Sequence, residues 1–302
     1  RRLPGDALDR LAPEHEVEVW PEPLPPPREE LLARAPEIEG LLCLLTDPVD
    51  ADLIAAAPRL RAISNYAVGV DNVDLEAAAR RGIPVGNTPD VLTETTADLA
   101  LALMLGISRR LVEGDAHVRR GEWRTWETGL LLGRDLHGAT AGIVGFGRIG
   151  RAVARRLEGF GCEVLHTGAV SLAELVERSD FVSLHPPLTR ETRGLIGDEA
   201  LARMKPTAYL VNTARGPIVD SAALARALHA GEIAGAALDV TDPEPLPGDH
   251  PLLEAPNLLV LPHLGSATHA TRERMAAMAV DNLLAGLAGE PMPNAVTPRG
   301  PL

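Results

Sequence analysis

One segment constrains the fold of this 302-residue chain more than any other: an apolar run that leads through a glycine-rich turn into a helix. The run covers residues 141–144, the helical pattern covers 148–159, and the turn reads Gly145-Phe146-Gly147-Arg148-Ile149-Gly150. A strand, a tight turn and a helix in this order begin a βαβ unit, and such units build parallel sheets. The first glycine permits the turn, the second lets the backbone approach a ligand, and the third lets helix and strand pack closely. The segment therefore predicts the seat of a dinucleotide pyrophosphate, which the N–H groups at the helix N-terminus would hold.

Short apolar runs alternate with helical patterns on both sides of this turn. Before it, strands are predicted at residues 40–45, 60–64 and 83–87, and a helix at 75–80. After it, strands are predicted at residues 163–167, 181–184, 208–212, 236–240 and 258–261. Two long helices are predicted as well, a buried one at 91–110 and a closing one at 266–286. This alternation predicts an α/β fold with parallel sheets covered by helices.

The charge and the composition exclude several classes of partner. A net charge of −13 opposes binding to nucleic acid or to an anionic membrane surface. No apolar run reaches the roughly 18 residues of a membrane span, and no signal peptide is visible, so we expect a cytoplasmic protein. The acidity also means that an anionic substrate needs a local positive group, because the overall field repels it.

Neither the cysteines nor the acidic residues form a pattern of metal ligands. Cys43 and Cys162 are the only cysteines and sit in apolar surroundings, which predicts buried, inert thiols. Asp47, Asp71 and Asp74 do not combine with a histidine at the spacing of metal ligands. We therefore expect no metal site.

Three motifs in the second half of the chain each offer one residue suited to carbonyl chemistry. They read Asn-Thr-Ala-Arg-Gly (212–216), Asp-Pro-Glu-Pro-Leu (242–246) and Pro-His-Leu-Gly-Ser (262–266). Arg215 can hold a carboxylate in a bidentate fork, and His263 can exchange a proton near neutral pH. Glu244 can orient that histidine and stabilise its charged form. Because Arg215 follows a predicted strand, we expect it at the carboxyl end of the sheet, where such folds bind ligands.

A dinucleotide turn followed by Arg, Glu and His in that order resembles the D-2-hydroxyacid dehydrogenase family, and the resemblance runs nearly end to end. Within the family the chain is most similar to the glyoxylate/hydroxypyruvate reductases, through residues 40–46, 238–246 and 284–293. The resemblance implies two doubly wound parallel-sheet domains, Rossmann-like or flavodoxin-like, with a cleft between them.

The same resemblance implies the domain organisation and the assembly. The substrate domain would comprise residues 1–87 plus 268–302, and a dinucleotide-binding domain of residues 88–267 would be inserted in it. The protein would be a homodimer, with the helix at 91–110 packed across the interface. A core helix within one domain is the alternative for that segment.

The reaction that the resemblance implies is hydride transfer between a nicotinamide cofactor and C2 of a 2-oxo or 2-hydroxy acid. His263 would be the general acid and base, Glu244 would hold it, and Arg215 would bind the substrate carboxylate. The residues implied to contact the cofactor are Gly145, Gly147, Arg148, Ile149, Gly150, Gly168, Thr213, Asp239 and Gly265. Those implied to contact the substrate are Leu45, Val68, Gly69, Arg215, His263 and Ser266. Asp239 could instead cap a loop, and we interpret His185 as structural.

The choice between NADP and NAD depends on the end of the second strand of the dinucleotide fold. NAD sites usually place Asp or Glu about 20 residues after the first strand, and this chain has Gly168 there. Without a carboxylate there is no repulsion against a 2′-phosphate, which favours NADP(H) and leaves NAD(H) possible. The arginine that would be expected to bind that phosphate is also absent. The resemblance implies a short strand before Arg1 and a longer loop before Ser171. We expect the strand to be missing from the sequence. The loop is either deleted in this protein or missing from the sequence, and we favour the second.

Two other functions stay open at this stage. Another D-2-hydroxyacid dehydrogenase, of the 3-phosphoglycerate, lactate or formate type, is the nearest enzymatic alternative. Leu130 stands where some glyoxylate reductases place a tryptophan, which leaves the substrate preference open. A dinucleotide-sensing scaffold, like the transcriptional corepressors that share this fold, would bind cofactor with incidental turnover. The acidic, compact chain favours the enzyme.

Overall fold

The computed structural model describes residues 1–297 of the chain, and these form two compact units. The first unit comprises Arg1–Leu92 together with the segment that begins at Ala267, of which residues 298–302 lie outside the described part. The second unit comprises Thr93–Ser266. Which unit binds the dinucleotide and which binds the substrate stays a prediction at this point.

The first unit contains a three-stranded parallel sheet in the order β1-β2-β3. Its strands are β1 (Gly40–Cys43), β2 (Ala62–Asn65) and β3 (Val85–Gly86), and its first helices are α1 (Arg28–Arg34), α2 (Ala51–Ala56) and α3 (Leu75–Arg80). A short 3₁₀ helix precedes them at Ala7–Arg10. Both α2 and α3 begin after an aspartate whose carboxylate accepts from a backbone N–H of the first turn. That capping satisfies donors which would otherwise have no partner.

The second unit is a six-stranded parallel sheet with helices between the strands. Its helices are α4 (Thr93–Ser108), α5 (Leu111–Arg119), α6 (Arg148–Gly159), α7 (Leu172–Arg178), α8 (Asp198–Arg203) and α9 (Ser221–Ala230). Its strands are β4 (Thr140–Val144), β5 (Glu163–His166), β6 (Phe181–Leu184), β7 (Tyr209–Asn212), β8 (Gly235–Leu238) and β9 (Leu258–Val260). Short 3₁₀ helices lie at Gly216–Ile218 and Pro251–Glu254.

The strand order of the second sheet is β5-β4-β6-β7-β8-β9. The chain starts in β4, moves outward to β5 and then crosses back to β6, so the order reverses beside β4. Ligands bind such sheets at the carboxyl ends of the strands on either side of the reversal. The glycine turn leaves β4 at this point.

Side chains alternate between the two faces of this sheet, and each face is covered by helices. Val182 packs in one core with residues of α7, α8 and α9, whereas its neighbour Phe181 packs in the other with residues of α4 and α6. In β7 the same alternation sends Leu210 to the first core and Val211 to the second. A parallel sheet buried on both faces is the doubly wound arrangement.

The chain closes with α10 (His269–Ala288), which belongs to the first unit. Ala62 of β2 packs in one core with residues of this helix, such as Val280, whereas the adjacent Ile63 packs in another core with residues of α2 and α3. Helices therefore cover both faces of the first sheet as well. The prediction of an α/β fold with two doubly wound parallel-sheet domains is confirmed.

Several element boundaries differ from the sequence prediction. The buried helix predicted at 91–110 runs over Thr93–Ser108, and a separate helix, α5, follows after Arg110 adopts a left-handed backbone. The closing helix begins three residues later than predicted, because Thr268 caps it by accepting from the backbone N–H of Thr271. No helix within residues 1–297 combines the length and the apolar character that crossing a lipid bilayer requires.

Candidate active site

The candidate site is built where the strands of the second sheet end, in register, at one edge. Val144 lies beside Leu184 in the parallel ladder, and Asn212 lies beside both Leu184 and Leu238. Leu238 in turn pairs with Val260. The segments that follow these positions carry the predicted site residues, which are Gly145, Thr213, Arg215, Asp239 and His263. The prediction required that neighbouring parallel strands end at the same edge of the sheet, and the register shows that they do.

The glycine turn at the end of β4 is shaped by close backbone approaches. Gly145 has a φ of +87°, and a Cβ there would lie 2.4 Å from the backbone nitrogen of Pro186. A Cβ on Gly150 would lie 2.2 Å from the carbonyl oxygen of Gly145. At Gly147, the N-cap of α6, a Cβ would meet no atom within 4 Å. The first and third glycines are thus needed for packing, while the second faces open space at the helix N-terminus. That combination fits a pyrophosphate resting on α6.

The loop after β7 is held by the side chain of Asn212. The Asn212 amide donates to the carbonyl of Arg215 at 2.9 Å and accepts from the N–H of Ala214 at 3.0 Å. The guanidinium of Arg215 donates through Nη1 to the Ala214 carbonyl at 2.8 Å. These hydrogen bonds fix the backbone around Arg215, whose side chain is half-buried.

Gly216 brings this loop against the segment that leads to Glu244. A Cβ at Gly216 would lie 1.9 Å from the carbonyl oxygen of Thr241 and 2.7 Å from the backbone nitrogen of Asp242. Only a residue without a side chain permits this approach. The contact therefore ties the segment of Arg215 to the segment of Glu244.

His263 and Glu244 form a hydrogen-bonded pair. Nδ1 of His263 lies 2.6 Å from Oε1 of Glu244, and the two side chains are 25% and 32% exposed. With Nδ1 donating to the carboxylate, Nε2 is the ring nitrogen left to face a substrate. His263 also has a φ of +57°, an uncommon conformation for a residue with a side chain. The backbone N–H of His263 donates to the carbonyl of Asp239 at 2.9 Å, which helps to hold this conformation.

Asp239 caps the loop that carries His263. Its Oδ1 accepts from the N–H of Leu264 at 2.6 Å, and its Oδ2 accepts from the N–H of Gly265 at 2.8 Å. The carboxylate is buried, and this burial raises its pKa, with the two N–H donors acting in the opposite direction. The loop-cap interpretation of Asp239 is therefore seen directly, while its contact to the cofactor stays a prediction. Thr96 of α4 completes the loop by donating to the Gly265 carbonyl at 3.0 Å.

His185 lies in the segment after β6, between Ser183 and Thr213. Its Nε2 is 2.9 Å from the Ser183 hydroxyl, and its Nδ1 is 3.3 Å from the Thr213 hydroxyl. Burial lowers the pKa of His185 to about 3, so the ring is neutral at physiological pH. This arrangement agrees with the structural interpretation, because both ring nitrogens have partners. The same ring also holds the hydroxyl of Thr213, a predicted cofactor contact, by a hydrogen bond.

The turn after β5 is short and is closed by hydrogen bonds. The N–H groups of Ala169 and Val170 both donate to the carbonyl of His166, at 2.9 and 3.1 Å, and close a tight turn. Ser171 then caps α7 by accepting from the N–H of Glu174. Five residues, 167–171, connect β5 to α7. The expectation that family members carry a longer loop before Ser171 stays a prediction.

The predicted substrate residues divide between the two units. Arg215, His263 and Ser266 belong to the second unit, and Leu45, Val68 and Gly69 belong to the first. In the first unit, Leu45 is exposed in the turn after β1. Val68 and Gly69 lie in the loop after β2, where their carbonyls accept from the amides of Asn87 and Asn65 respectively. The roles of all these residues stay predictions.

Sequence reasoning did not single out the residues that support the site. Asn212 and Gly216 lay within a recognised motif, but a sequence shows neither a side chain turning back on its own loop nor a close approach of two loops. Thr96 lies far from Gly265 in the chain, and no local pattern links them. Within residues 1–297, no group of three His, Cys, Asp or Glu side chains is placed to hold a metal ion.

Comparison with known proteins identifies the family of this chain. Residues 101–265 match the sequence profile of the D-isomer specific 2-hydroxyacid dehydrogenase NAD binding domain, which is more than half of the chain. The chain belongs to the D-isomer specific 2-hydroxyacid dehydrogenase family. A glyoxylate reductase of Korarchaeum cryptofilum is 49% identical, over 98% of this chain and 94% of that protein. The predicted family and enzyme class, an NAD(P)-dependent dehydrogenase, are confirmed.

Solved structures resemble the chain over most of its length. The TT0316 protein of Thermus thermophilus superposes with a TM-score of 0.94 at 52% identity, covering 98% of each chain. An NADPH-dependent glyoxylate/hydroxypyruvate reductase of Sinorhizobium meliloti, solved with NADP and malonate, has a TM-score of 0.80 at 36% identity, covering 88% of this chain and 86% of that one. The cofactor of this dehydrogenase is thus a nicotinamide dinucleotide.

Proposed function

We propose that this dehydrogenase reduces a small 2-oxo acid, glyoxylate or hydroxypyruvate, to the 2-hydroxy acid with NADPH as the preferred hydride donor and NADH as an alternative. The observation that carries the proposal is the His263–Glu244 hydrogen bond of 2.6 Å, which leaves Nε2 of His263 to face a carbonyl oxygen. The relatives named glyoxylate reductase support the choice of substrate.

The catalytic pair works by moving one proton. Reduced nicotinamide dinucleotide, when bound at the glycine turn, supplies the hydride. As hydride adds to C2 of the substrate, the carbonyl π pair moves to oxygen, and that oxygen takes the proton from Nε2 of His263. The carboxylate of Glu244 stabilises the protonated ring before transfer, because an opposite charge at hydrogen-bond distance favours the charged form. In the oxidation direction the neutral ring takes the proton back.

Arg215 supplies the positive charge that this acidic protein needs at the site. A guanidinium binds a carboxylate through two parallel hydrogen bonds, which orients the substrate as well as holding it. We also propose that the backbone N–H groups of Val68 and Gly69 contact the substrate carboxylate. Asparagine amides donate to the carbonyls of both residues, and these hydrogen bonds hold the loop in place. Leu45 would supply an apolar wall, and Ser266 a polar contact.

The cofactor preference rests on the turn after β5. Gly168 is exposed and offers no carboxylate to the ribose 2′-OH, so a 2′-phosphate meets no repulsion there. The Sinorhizobium meliloti structure, named as NADPH-dependent and holding NADP, supports the same preference.

A substrate and cofactor panel tests the proposal. The assay measures kcat/KM for glyoxylate, hydroxypyruvate, pyruvate and 3-phosphohydroxypyruvate with NADPH and NADH, and NAD reduction with formate. The highest value is expected for glyoxylate or hydroxypyruvate with NADPH. A higher value for another acid would move the enzyme to the lactate, phosphoglycerate or formate type. Cofactor binding without turnover of any acid would favour the dinucleotide-sensing scaffold.

A matched pair of variants tests the role assigned to Glu244. Glu244→Gln keeps the shape of the side chain and removes its charge, so kcat for glyoxylate reduction should fall by about 10-fold or more, since charge-assisted hydrogen bonds are roughly twice as strong as neutral ones. Glu254→Gln makes the same change at an exposed residue of a nearby 3₁₀ helix and should leave kcat unchanged. Equal activity of the two variants would contradict the pairing.

We also propose a homodimer. Several large apolar side chains of the second unit are exposed, within α5 and the segment that follows it; they are Leu111, Val112, Val118, Trp123, Trp126 and Leu132. Trp126 is 79% exposed, and exposed tryptophans are typical of subunit contacts. Light scattering on the purified protein should give twice the chain mass, and Trp126→Glu should reduce that value toward the monomer. A wild-type monomer would contradict the assembly.

A further inference from the structure

The turn after β5 presents one side chain in a fixed orientation, and the proposed function does not use it. His166 is the last residue of β5 and pairs with Ile143 across the sheet, two positions before Gly145. The next residue, Thr167, accepts from the N–H of Gly145 through its hydroxyl at 3.1 Å. The end of β5 is therefore attached to the glycine turn. In dinucleotide folds this strand end faces the 2′ position of the adenosine ribose.

The imidazole of His166 is held on two sides. Its ring stacks on Phe146 of the glycine turn, with centroids 3.7 Å apart and planes 6° from parallel. Its Nδ1 accepts from the N–H of Gly168 at 3.1 Å. An accepting Nδ1 carries no proton, so the neutral ring must carry its hydrogen on Nε2. His166 thus offers a donor two residues before Gly168, the position at which NAD-specific folds offer an accepting carboxylate.

The surroundings of the ring favour an anionic acceptor. The guanidinium carbon of Arg151 lies over the Phe146 ring at 5.4 Å from its centroid, and Arg151 Nε donates to the Phe146 carbonyl at 3.1 Å. Arg151 is exposed, so it adds positive potential close to the stacked ring. A phosphate oxygen accepts from an N–H more strongly than a hydroxyl does, because the acceptor is charged. A carboxylate at this strand end would instead repel it.

We propose that His166 is a specificity-determining residue, which donates from Nε2 to the 2′-phosphate of the adenosine ribose and so selects NADPH over NADH. The inference deepens the proposed function, on which it rests for the dinucleotide. It assigns the selection to the stacked histidine at the end of β5, with Gly168 serving only to leave space and to fix the ring.

Calorimetry with half-cofactors tests this without any turnover. Adenosine 2′,5′-bisphosphate carries the 2′-phosphate, and 5′-AMP lacks it. The wild-type protein is expected to bind the bisphosphate at least about 10-fold more tightly, the effect of a hydrogen bond to a charged group. In His166→Phe the ring can still stack on Phe146, but the donor is gone. Bisphosphate affinity should then fall by about 10-fold, with AMP affinity changed less than about twofold.

A control and a second variant keep the test decisive. His229→Phe makes the same substitution at an exposed position of α9 and should change neither affinity. His166→Asp should reverse the preference, because its carboxylate accepts from a 2′-OH and repels a 2′-phosphate. Equal loss of both ligands in His166→Phe would mean a structural role only and would overturn the proposal. So would a wild type that does not prefer the bisphosphate.

The outcome is separable from that of the proposed reaction. Glyoxylate reduction is assayed on the same preparations. If the affinities change as expected while no 2-oxo acid is reduced, the proposed reaction fails and the role of His166 stands. If glyoxylate is reduced while His166→Phe keeps the wild-type ratio of affinities, the inference about His166 fails alone.

Discussion

Gly216→Ala is the sharpest test of how the active-site loops are positioned, because it adds one methyl group and no charge. The added Cβ would lie 1.9 Å from the Thr241 carbonyl oxygen and 2.0 Å from its carbonyl carbon. Both are backbone atoms, so no side-chain rotation can relieve the clash. Reaching 3.4 Å, where ordinary contact begins, requires a displacement of about 1.5 Å.

A displacement of that size would disconnect the catalytic pair. The Glu244 carboxylate lies 2.6 Å from Nδ1 of His263. If the Thr241 segment carries Glu244 with it, the separation exceeds the roughly 3.5 Å limit of a hydrogen bond. Misplacement by about 1 Å commonly costs about 100-fold in rate. We therefore expect kcat for glyoxylate reduction to fall by about 100-fold, and overpacking to cost about 1–3 kcal/mol of stability.

The assay combines steady-state kinetics with NADPH and glyoxylate and a urea unfolding curve, so that kcat refers to folded enzyme. Gly248→Ala is the matched control, because a Cβ at that loop position meets no atom within 4 Å. It should retain wild-type kcat and stability. A folded Gly216→Ala enzyme with wild-type kcat would refute the conclusion that this contact places Glu244.

Four further substitutions probe individual residues. His263→Asn, chosen because asparagine tolerates a positive φ, should bind NADPH normally and lose about 10²–10⁴ in kcat; retained turnover would remove His263 as the acid. Arg215→Lys should raise KM and lower kcat for glyoxylate, since an ammonium cannot form the planar fork; unchanged constants would place Arg215 outside the site. Asp239→Asn has one accepting oxygen for two N–H donors, so urea unfolding should show a loss of roughly 1–3 kcal/mol; unchanged stability would contradict its role as a loop cap. Gly168→Asp should lower kcat/KM for NADPH more than for NADH, and a wild-type ratio that already favours NADH would contradict the cofactor preference.

The sequence alone was sufficient for the fold class and for the family. Strand–helix alternation depends on local periodicity, and parallel strands joined by helices have few ways to close. The order of Arg215, Glu244 and His263 after predicted strand ends was also readable, because each follows an apolar run. Geometry agrees for one pair, since Glu244 and His263 meet at hydrogen-bond distance.

Element ends were less predictable because they depend on single side chains. The closing helix starts where the Thr268 hydroxyl finds the N–H of Thr271. The helix predicted at 91–110 stops before Arg110, whose backbone turns left-handed. The sequence also did not show that the N–H groups of Ala169 and Val170 share the carbonyl of His166 in the turn after β5.

What the sequence by itself determined about this protein is a parallel α/β dehydrogenase whose reactive residues follow its strands. Only the tertiary structure decided how those residues are held. Gly216 contacts the backbone of Thr241, and the carboxylate of Asp239 accepts hydrogen bonds from the loop of His263. The ring of His166 stacks on Phe146. The physical reason is the separation along the chain over which each kind of interaction acts. Periodicity and turn chemistry act between neighbours in the chain, whereas these contacts join segments that are 20 to 26 residues apart and meet only after the sheet has brought the strand ends to one edge.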